Sequence, residues 1–193
     1  SGTTDPERVF IFATPENLIE LAKADIIAVD GTFSCVPLLY TQLWTVHARV
    51  YGAFLPLAYA ILPSKQGRLY SLVFSHLLSL CLGLNPRFVI MDFEKGEENA
   101  ARSVFPNAVV HCCHFHFAQA IWRKIGEVGL SKDYKAGGDI YAALRNFMAL
   151  PFVPEGDIDS AFSYCVDTLE ACPANTAAIS SFNNYFKNTW VGD

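Results

Sequence analysis

Two short apolar runs, each ending in an aspartate, constrain this chain more than any other feature. Ile26-Ile27-Ala28-Val29 leads into Asp30-Gly31-Thr32-Phe33, and Phe88-Val89-Ile90-Met91 leads into Asp92. Uninterrupted apolar runs of this length read as strands buried on both faces. A carboxylate at the end of such a strand is costly to bury unless something pairs with it or binds it. If the two strands lie side by side and parallel, Asp30 and Asp92 reach the same edge of the sheet. Their mutual repulsion invites a divalent cation, and hard oxygen ligands with room for water and phosphate suit Mg²⁺ or Mn²⁺. Each aspartate also has an ordinary reading by itself. Asp30-Gly31 is a hairpin signal, and Asp92 is placed to cap a following helix. Glu94 shares the face of Asp92 if the strand continues, and otherwise supplies first-turn charge to that helix.

The elements between these strands fit the same picture. Thr14 as N-cap and Pro15 at the first helical position predict a short helix through Ala24. Pro37 interrupts the first long strand, Gln42–Tyr51 resumes it, and Gly52-Ala53 turns into Phe54–Leu62, so the three strands read as a meander. Leu69, Leu72, Val73, His76, Leu77 and Leu80 follow helical spacing, with Gly83 as a stop. A helix over Glu94–Val104, a strand over Ala108–Cys112 and a helix carrying Phe117, Ile121 and Ile125 come next. Right-handed crossovers make the Asp92 strand the natural neighbour of the Asp30 strand. The predicted fold is α/β: a ribonuclease H-like mixed sheet, an antiparallel meander plus parallel strands, flanked by helices.

Strand signals stop after Gly129, and three apolar helical stripes follow, led by Ile140, Ile158 and Ile179. Two regions are therefore expected, an α/β core over 1–130 and the start of an all-α insertion over 131–193. With 52% hydrophobic and 17% charged residues, the chain is more apolar than an average soluble domain. No apolar segment reaches the roughly 18 to 20 residues of a membrane span, so no membrane partner is expected. The excess apolar content reads as surface that neighbouring segments cover. A net charge of −5 argues against holding nucleic acid by bulk electrostatics alone. Six cysteines without short regular spacing point to reduced thiols rather than a disulfide framework.

His111-Cys112-Cys113-His114-Phe115-His116 crowds soft and imidazole ligands at one strand-to-helix junction. That invites zinc, yet a tetrahedral site usually draws on two separated ligand pairs, and no second Cys/His pair with ligand spacing follows. A buried thiol beside a hydrogen-bonded histidine is the competing reading. His47 and His76 read as structural. Arg123, Lys124, Lys132 and Lys135, with Trp122 among them, read either as a solvated helix face or as contacts to a DNA backbone.

Taken in order, the motifs resemble the Mutator-like element (MULE) transposase domain. The resemblance rests on Val29-Asp30-Gly31-Thr32-Phe33, Gln42-Leu43, Pro56-Leu57-Ala58-Tyr59, Met91-Asp92-Phe93-Glu94, Asn99-Ala100 and Val104-Phe105-Pro106. Cys113-His114-Phe115-His116-Phe117, Gln119-Ala120, Arg123-Lys124-Ile125 and Ala149-Leu150-Pro151-Phe152-Val153-Pro154 continue it. It implies a ribonuclease H-like core with a D-D-E triad that uses two Mg²⁺ or Mn²⁺ ions to cut and join transposon-end DNA in the nucleus, with a homo-oligomer possible. Asp30 and Asp92 stand as the first and second carboxylates, and Cys113 and His116 match the family's Cys-x-x-His signature. The third carboxylate, a glutamate after the helical insertion, has no counterpart here, so the chain alone is expected to be inactive. A host-adopted or decayed relative that associates with DNA without cutting is the alternative.

Overall fold

A computed structural model describes residues 7–192. Within them the chain forms two compact units, one running to Cys113 and the other starting at His114. The first is α/β. Its elements are β1 (Phe10–Phe12), α1 (Pro15–Ala22), β2 (Ile26–Thr32), β3 (Gln42–Val50), β4 (Ala53–Leu62), α2 (Gly67–Leu80), β5 (Phe88–Met91), α3 (Lys95–Val104) and β6 (Val109–Cys112). Among the described residues the strands make one six-stranded mixed sheet, ordered β1-β4-β3-β2-β5-β6. β1–β4, β4–β3 and β3–β2 are antiparallel, whereas β2–β5 and β5–β6 are parallel.

Local chemistry explains the boundaries. Thr14 caps α1 by accepting from the Asn17 N–H at 3.2 Å, and Pro15 follows where its missing donor costs nothing. α1 ends at Ala22, two residues before the expected Ala24. Tyr51 and Gly52 both take positive φ, 50° and 85°, in the two-residue turn that joins β3 to β4. β1 is a strand in addition to those expected from the sequence. It pairs through Phe10↔Ile61 to Phe12↔Tyr59.

The core of this unit lies where β2–β5 meet α2 and α3. Trp44, Val46, Ala58, Ala60, Leu62, Val89 and Met91 face Tyr70, Phe74 and Leu77 of α2 and Ala100 and Ala101 of α3. Trp44 packs edge-on to Phe74 at 4.9 Å, and Phe74 packs edge-on to Phe105 at 5.3 Å. The buried stripe of α2 is Leu69, Tyr70, Val73, Phe74 and Leu77; Leu72, His76 and Leu80 of the expected stripe are exposed. The helix is rotated because Tyr70 and Phe74 bury more area than Leu72 and Leu80 would. α2 and α3 approach at their first turns, where a methyl group on Gly67 would come within 3.1 Å of the Gly96 carbonyl oxygen. A side chain at Gly67 would have to push that backbone away by a few tenths of an ångström.

The second unit is all-α: α4 (His114–Glu127), α5 (Ser131–Ala136), α6 (Gly138–Ala149), α7 (Ile158–Glu170) and α8 (Thr176–Phe186). The change in composition at residue 130 marks the end of the strand signals, but packing divides the chain at Cys113. α4 supplies Phe117, Ile121 and Ile125 to the helical core, alongside Leu144, Phe147, Leu169, Phe182 and Phe186. All six cysteines are free. No helix among the described residues is long and apolar enough to cross a membrane.

Phe147 is the centre of the helical core. It is fully buried, with its ring 5.1 Å from Phe182 and 4.9 Å from Phe186. Phe147→Ala removes that ring from a site walled by other rings, which relax little. The expected cost is about 3–5 kcal/mol, read from urea unfolding midpoints followed by circular dichroism.

Candidate functional site

The parallel pairing of β2 with β5 brings the two aspartates together. Its register runs Ile26↔Phe88, Ile27↔Val89 and Ala28↔Ile90. Asp30 lies two residues beyond Ala28, and Asp92 lies two residues beyond Ile90. Strand alternation carries both to the same face at the same, C-terminal, edge of neighbouring strands, whose axes run roughly 4.8 Å apart. Asp30 is within β2, paired with Thr45 of β3, and the ladder continues through Gly31↔Trp44 and Thr32↔Leu43. Asp30-Gly31 is therefore a strand segment and not a hairpin turn. Asp92 follows β5 directly, and its Oδ1 accepts from the Phe93 N–H at 2.7 Å. The N-cap position of α3 belongs to Glu94, so Asp92 does not cap that helix.

A third strand end joins this edge. β6 pairs with β5 through Met91↔Cys112, and the Cys113 N–H donates to the Met91 carbonyl at 2.6 Å. Cys113 thus stands in register with Asp92, at the end of the row that starts at Asp30. His116 lies in the first turn of α4, in the other unit, with its ring edge-on to Phe115 at 5.5 Å.

Behind the edge, on the core side of the sheet, lies a polar layer. Gln42 and Glu97 are the buried polar residues of this unit. The Gln42 Nε2 donates to the Tyr70 hydroxyl at 2.6 Å, and that hydroxyl donates to Glu94 Oε1 at 2.8 Å. Lys65 Nζ sits 3.2 Å from Glu94 Oε2. Glu94 is therefore engaged by α2 and by the loop before it. Burial pushes the Tyr70 phenol well above its ordinary range, so it remains a proton donor to Glu94. Gly31 belongs to this layer: a methyl group there would come within 2.6 Å of Gln42 Oε1.

Glu97 is the residue that sequence reasoning passed over. It is only 4% exposed, and the Trp44 indole N–H donates to its Oε1. Burial pushes its carboxyl up to about 7; the Trp44 bond works against this, and the charges of Glu94, Asp92 and Asp30 add to it. The sequence does contain a signal for it. Glu97, Ala100, Ala101 and Val104 stand at helical spacing, so Glu97 is the one charged member of the inward stripe of α3. Among the described residues, no three His, Cys, Asp or Glu side chains converge closely enough to hold a metal ion. The acidic edge can offer the carboxylates of Asp30 and Asp92 to a cation from one side, which suits an ion that keeps part of its coordination for water or phosphate.

Residues 26–120 match the family model of the MULE transposase domain, a span that holds β2–β6, both aspartates, Cys113 and His116. Among curated proteins none matches the chain.

Two outcomes follow from the buried layer. The folded protein holds the Glu97 proton more tightly than the unfolded chain does. Between about pH 4.5 and 7 the native state therefore binds more protons, and Glu97 lowers stability as pH rises through that window. Glu97→Gln keeps an acceptor for Trp44 and removes the charge. With EDTA present, its stability advantage over the parent should grow from near zero at pH 4.5 to roughly 3 kcal/mol above pH 7, measured by urea unfolding. Gly31→Ala should displace the Gln42 amide from Tyr70, lowering stability by about 1–3 kcal/mol, and Gln42→Ala in the same background should add less than it does alone.

Proposed function

With residues 26–120 forming a MULE transposase domain, we propose that this chain is a part of the catalytic core of a DNA transposase, the part that supplies the first two carboxylates for cutting and joining strands by metal-assisted phosphoryl transfer. The observation that carries the reading is the placement of Asp30 and Asp92 at one edge of adjacent parallel strands. Strand order supports the ribonuclease H-like form of the fold: an antiparallel meander β4-β3-β2 continues into parallel β5 and β6. Asp30 and Asp92 are the residues that would hold Mg²⁺ or Mn²⁺. Such ions, when bound, activate the attacking oxygen and neutralise the leaving one in an in-line displacement.

The chain's own residues support that role in distinct ways. Gly31 leaves space for Gln42, and Gln42 with Tyr70 anchors Glu94 beside Lys65, so the segment after Asp92 is tied to α2. The Cys113 N–H, bonded to Met91, fixes the backbone immediately before Asp92. These contacts hold the strand ends rigid, as positioning of reacting phosphates requires. DNA is the proposed partner and the nucleus the proposed location.

The test is Mn²⁺ binding by the chain, followed by electron paramagnetic resonance of the free ion. Asp30→Asn and Asp92→Asn should each weaken binding roughly tenfold or more while leaving circular dichroism unchanged. Unchanged affinity in both variants would overturn the metal-dependent reading and leave a non-cutting, DNA-associated role in its place.

A further inference from the structure

The helical unit has an aromatic pocket that the proposed chemistry does not use. It is a shallow, open pocket of about 370 Å³ lined by Phe115, Ala118, Gln119 and Trp122 of α4, Tyr134 of α5 and Met148 of α6. α4 carries two apolar stripes. Phe117, Ile121 and Ile125 are buried in the helical core. Phe115, Ala118 and Trp122 form the other stripe, where Phe115 is 66% exposed and Trp122 is 36% exposed. Large aromatic side chains left at a surface in one cluster mark a binding site more often than scattered ones do.

The rings continue beyond the pocket as a ladder. Trp122 and Tyr134 are 4.9 Å apart, Tyr134 and Tyr141 are 4.8 Å apart, and the Arg145 guanidinium lies 5.6 Å over Tyr141. One cation adjoins a lining residue, and two more flank Tyr134 in sequence. Arg123 is exposed and donates to Gln119 Oε1 at 2.6 Å, and Lys132 and Lys135 are exposed on α5. Charge is unevenly shared in this unit. Residues 114–149 hold five Lys/Arg against three Asp/Glu, whereas residues 150–193 hold one against six. An open apolar pocket with Arg123 bonded to one of its lining residues fits a planar ring attached to an anionic backbone. Stacking on aromatic faces with Arg beside them is how proteins hold the bases of unpaired strands. A base inside a duplex is stacked on both sides and cannot enter such a slot.

We propose that this pocket binds an unpaired base of single-stranded DNA, with Phe115 and Trp122 as the stacking faces, the Gln119 amide at the base edge and Arg123 on the adjoining phosphate. This rests on the DNA-processing role proposed above and adds a site for strand ends or flanking nucleotides after pairing is lost. The test is fluorescence anisotropy of a labelled oligonucleotide of about ten nucleotides, against a blunt duplex of the same sequence, with the chain in EDTA. The single strand should bind more tightly and quench tryptophan emission. Trp122→Ala should weaken it roughly 5- to 100-fold, Trp122→Phe should retain most of the affinity while losing the quench, and Arg123→Gln should flatten the salt dependence. Asp30→Asn should leave this binding unchanged, so its failure and the failure of the metal site are read separately. Equal binding by Trp122→Ala and the parent, tighter binding of the duplex, or no binding of the single strand would overturn the proposal.

Discussion

The parallel pairing of β2 with β5 is the interaction on which the acidic edge depends. Three registered pairs, Ile26↔Phe88 to Ala28↔Ile90, set two carboxylates level on neighbouring strands. A slip of one residue would send one of them to the opposite face, because side chains alternate. The register is held by burial, since Ile27, Val29, Val89 and Met91 all lie in the core on the other face. The site is thus located by hydrophobic packing that never touches it. Like charges at the edge are tolerated because the strand ends are open to solvent or to a cation, where the cost of burying charge is not incurred.

The same economy does not apply to the layer behind. Trp44 with Glu97, and Gln42 with Tyr70, are polar groups inside an apolar core, each kept by a specific hydrogen bond, and the half-buried Glu94 accepts from Tyr70 at its margin. Removing one partner would leave another buried without its bond, which costs more than the bond itself contributes. The layer therefore resists change as a unit, and it ties β3, α2 and α3 to the strands that carry the aspartates. Gly31 marks how tightly it is fitted, since a methyl group beside Asp30 would force the Gln42 amide to move. The close approach of Gly67 and Gly96 brings α2 and α3 near enough for Tyr70 and Lys65 to reach Glu94.

The helical unit is organised by rings instead of ladders. Phe147 and Phe186 each lie within 6.3 Å of the other and of both Phe162 and Phe182. α4 contributes to that core with one stripe and presents aromatic surface with another. A single helix therefore serves both the stability of its unit and the pocket above it. Its first turn also carries His116 of the Cys-x-x-His signature, while Cys113 ends the sheet of the other unit. The motif spans the point where one core stops and the next begins.

Much of this was legible in the chain itself. The aspartate-ended runs, the Thr14-Pro15 helix start and the inward stripes of α6, α7 and α8 are local patterns, read from spacing within one element, and local patterns survive folding when burial agrees with them. The pairing of β2 with β5 followed from crossover handedness once the elements were ordered. What spacing could not give was contact between distant elements. The Trp44–Glu97 bond joins residues 53 apart in the chain, and Gln42–Tyr70 joins residues 28 apart. The rotation of α2, the strand status of β1 and the allegiance of α4 to the helical core were likewise decided by which neighbours were present to bury each face. A sequence by itself determines which faces are apolar and where elements begin and end; only the tertiary structure decides which face meets which, because burial is a property of the pair and not of either strand or helix alone.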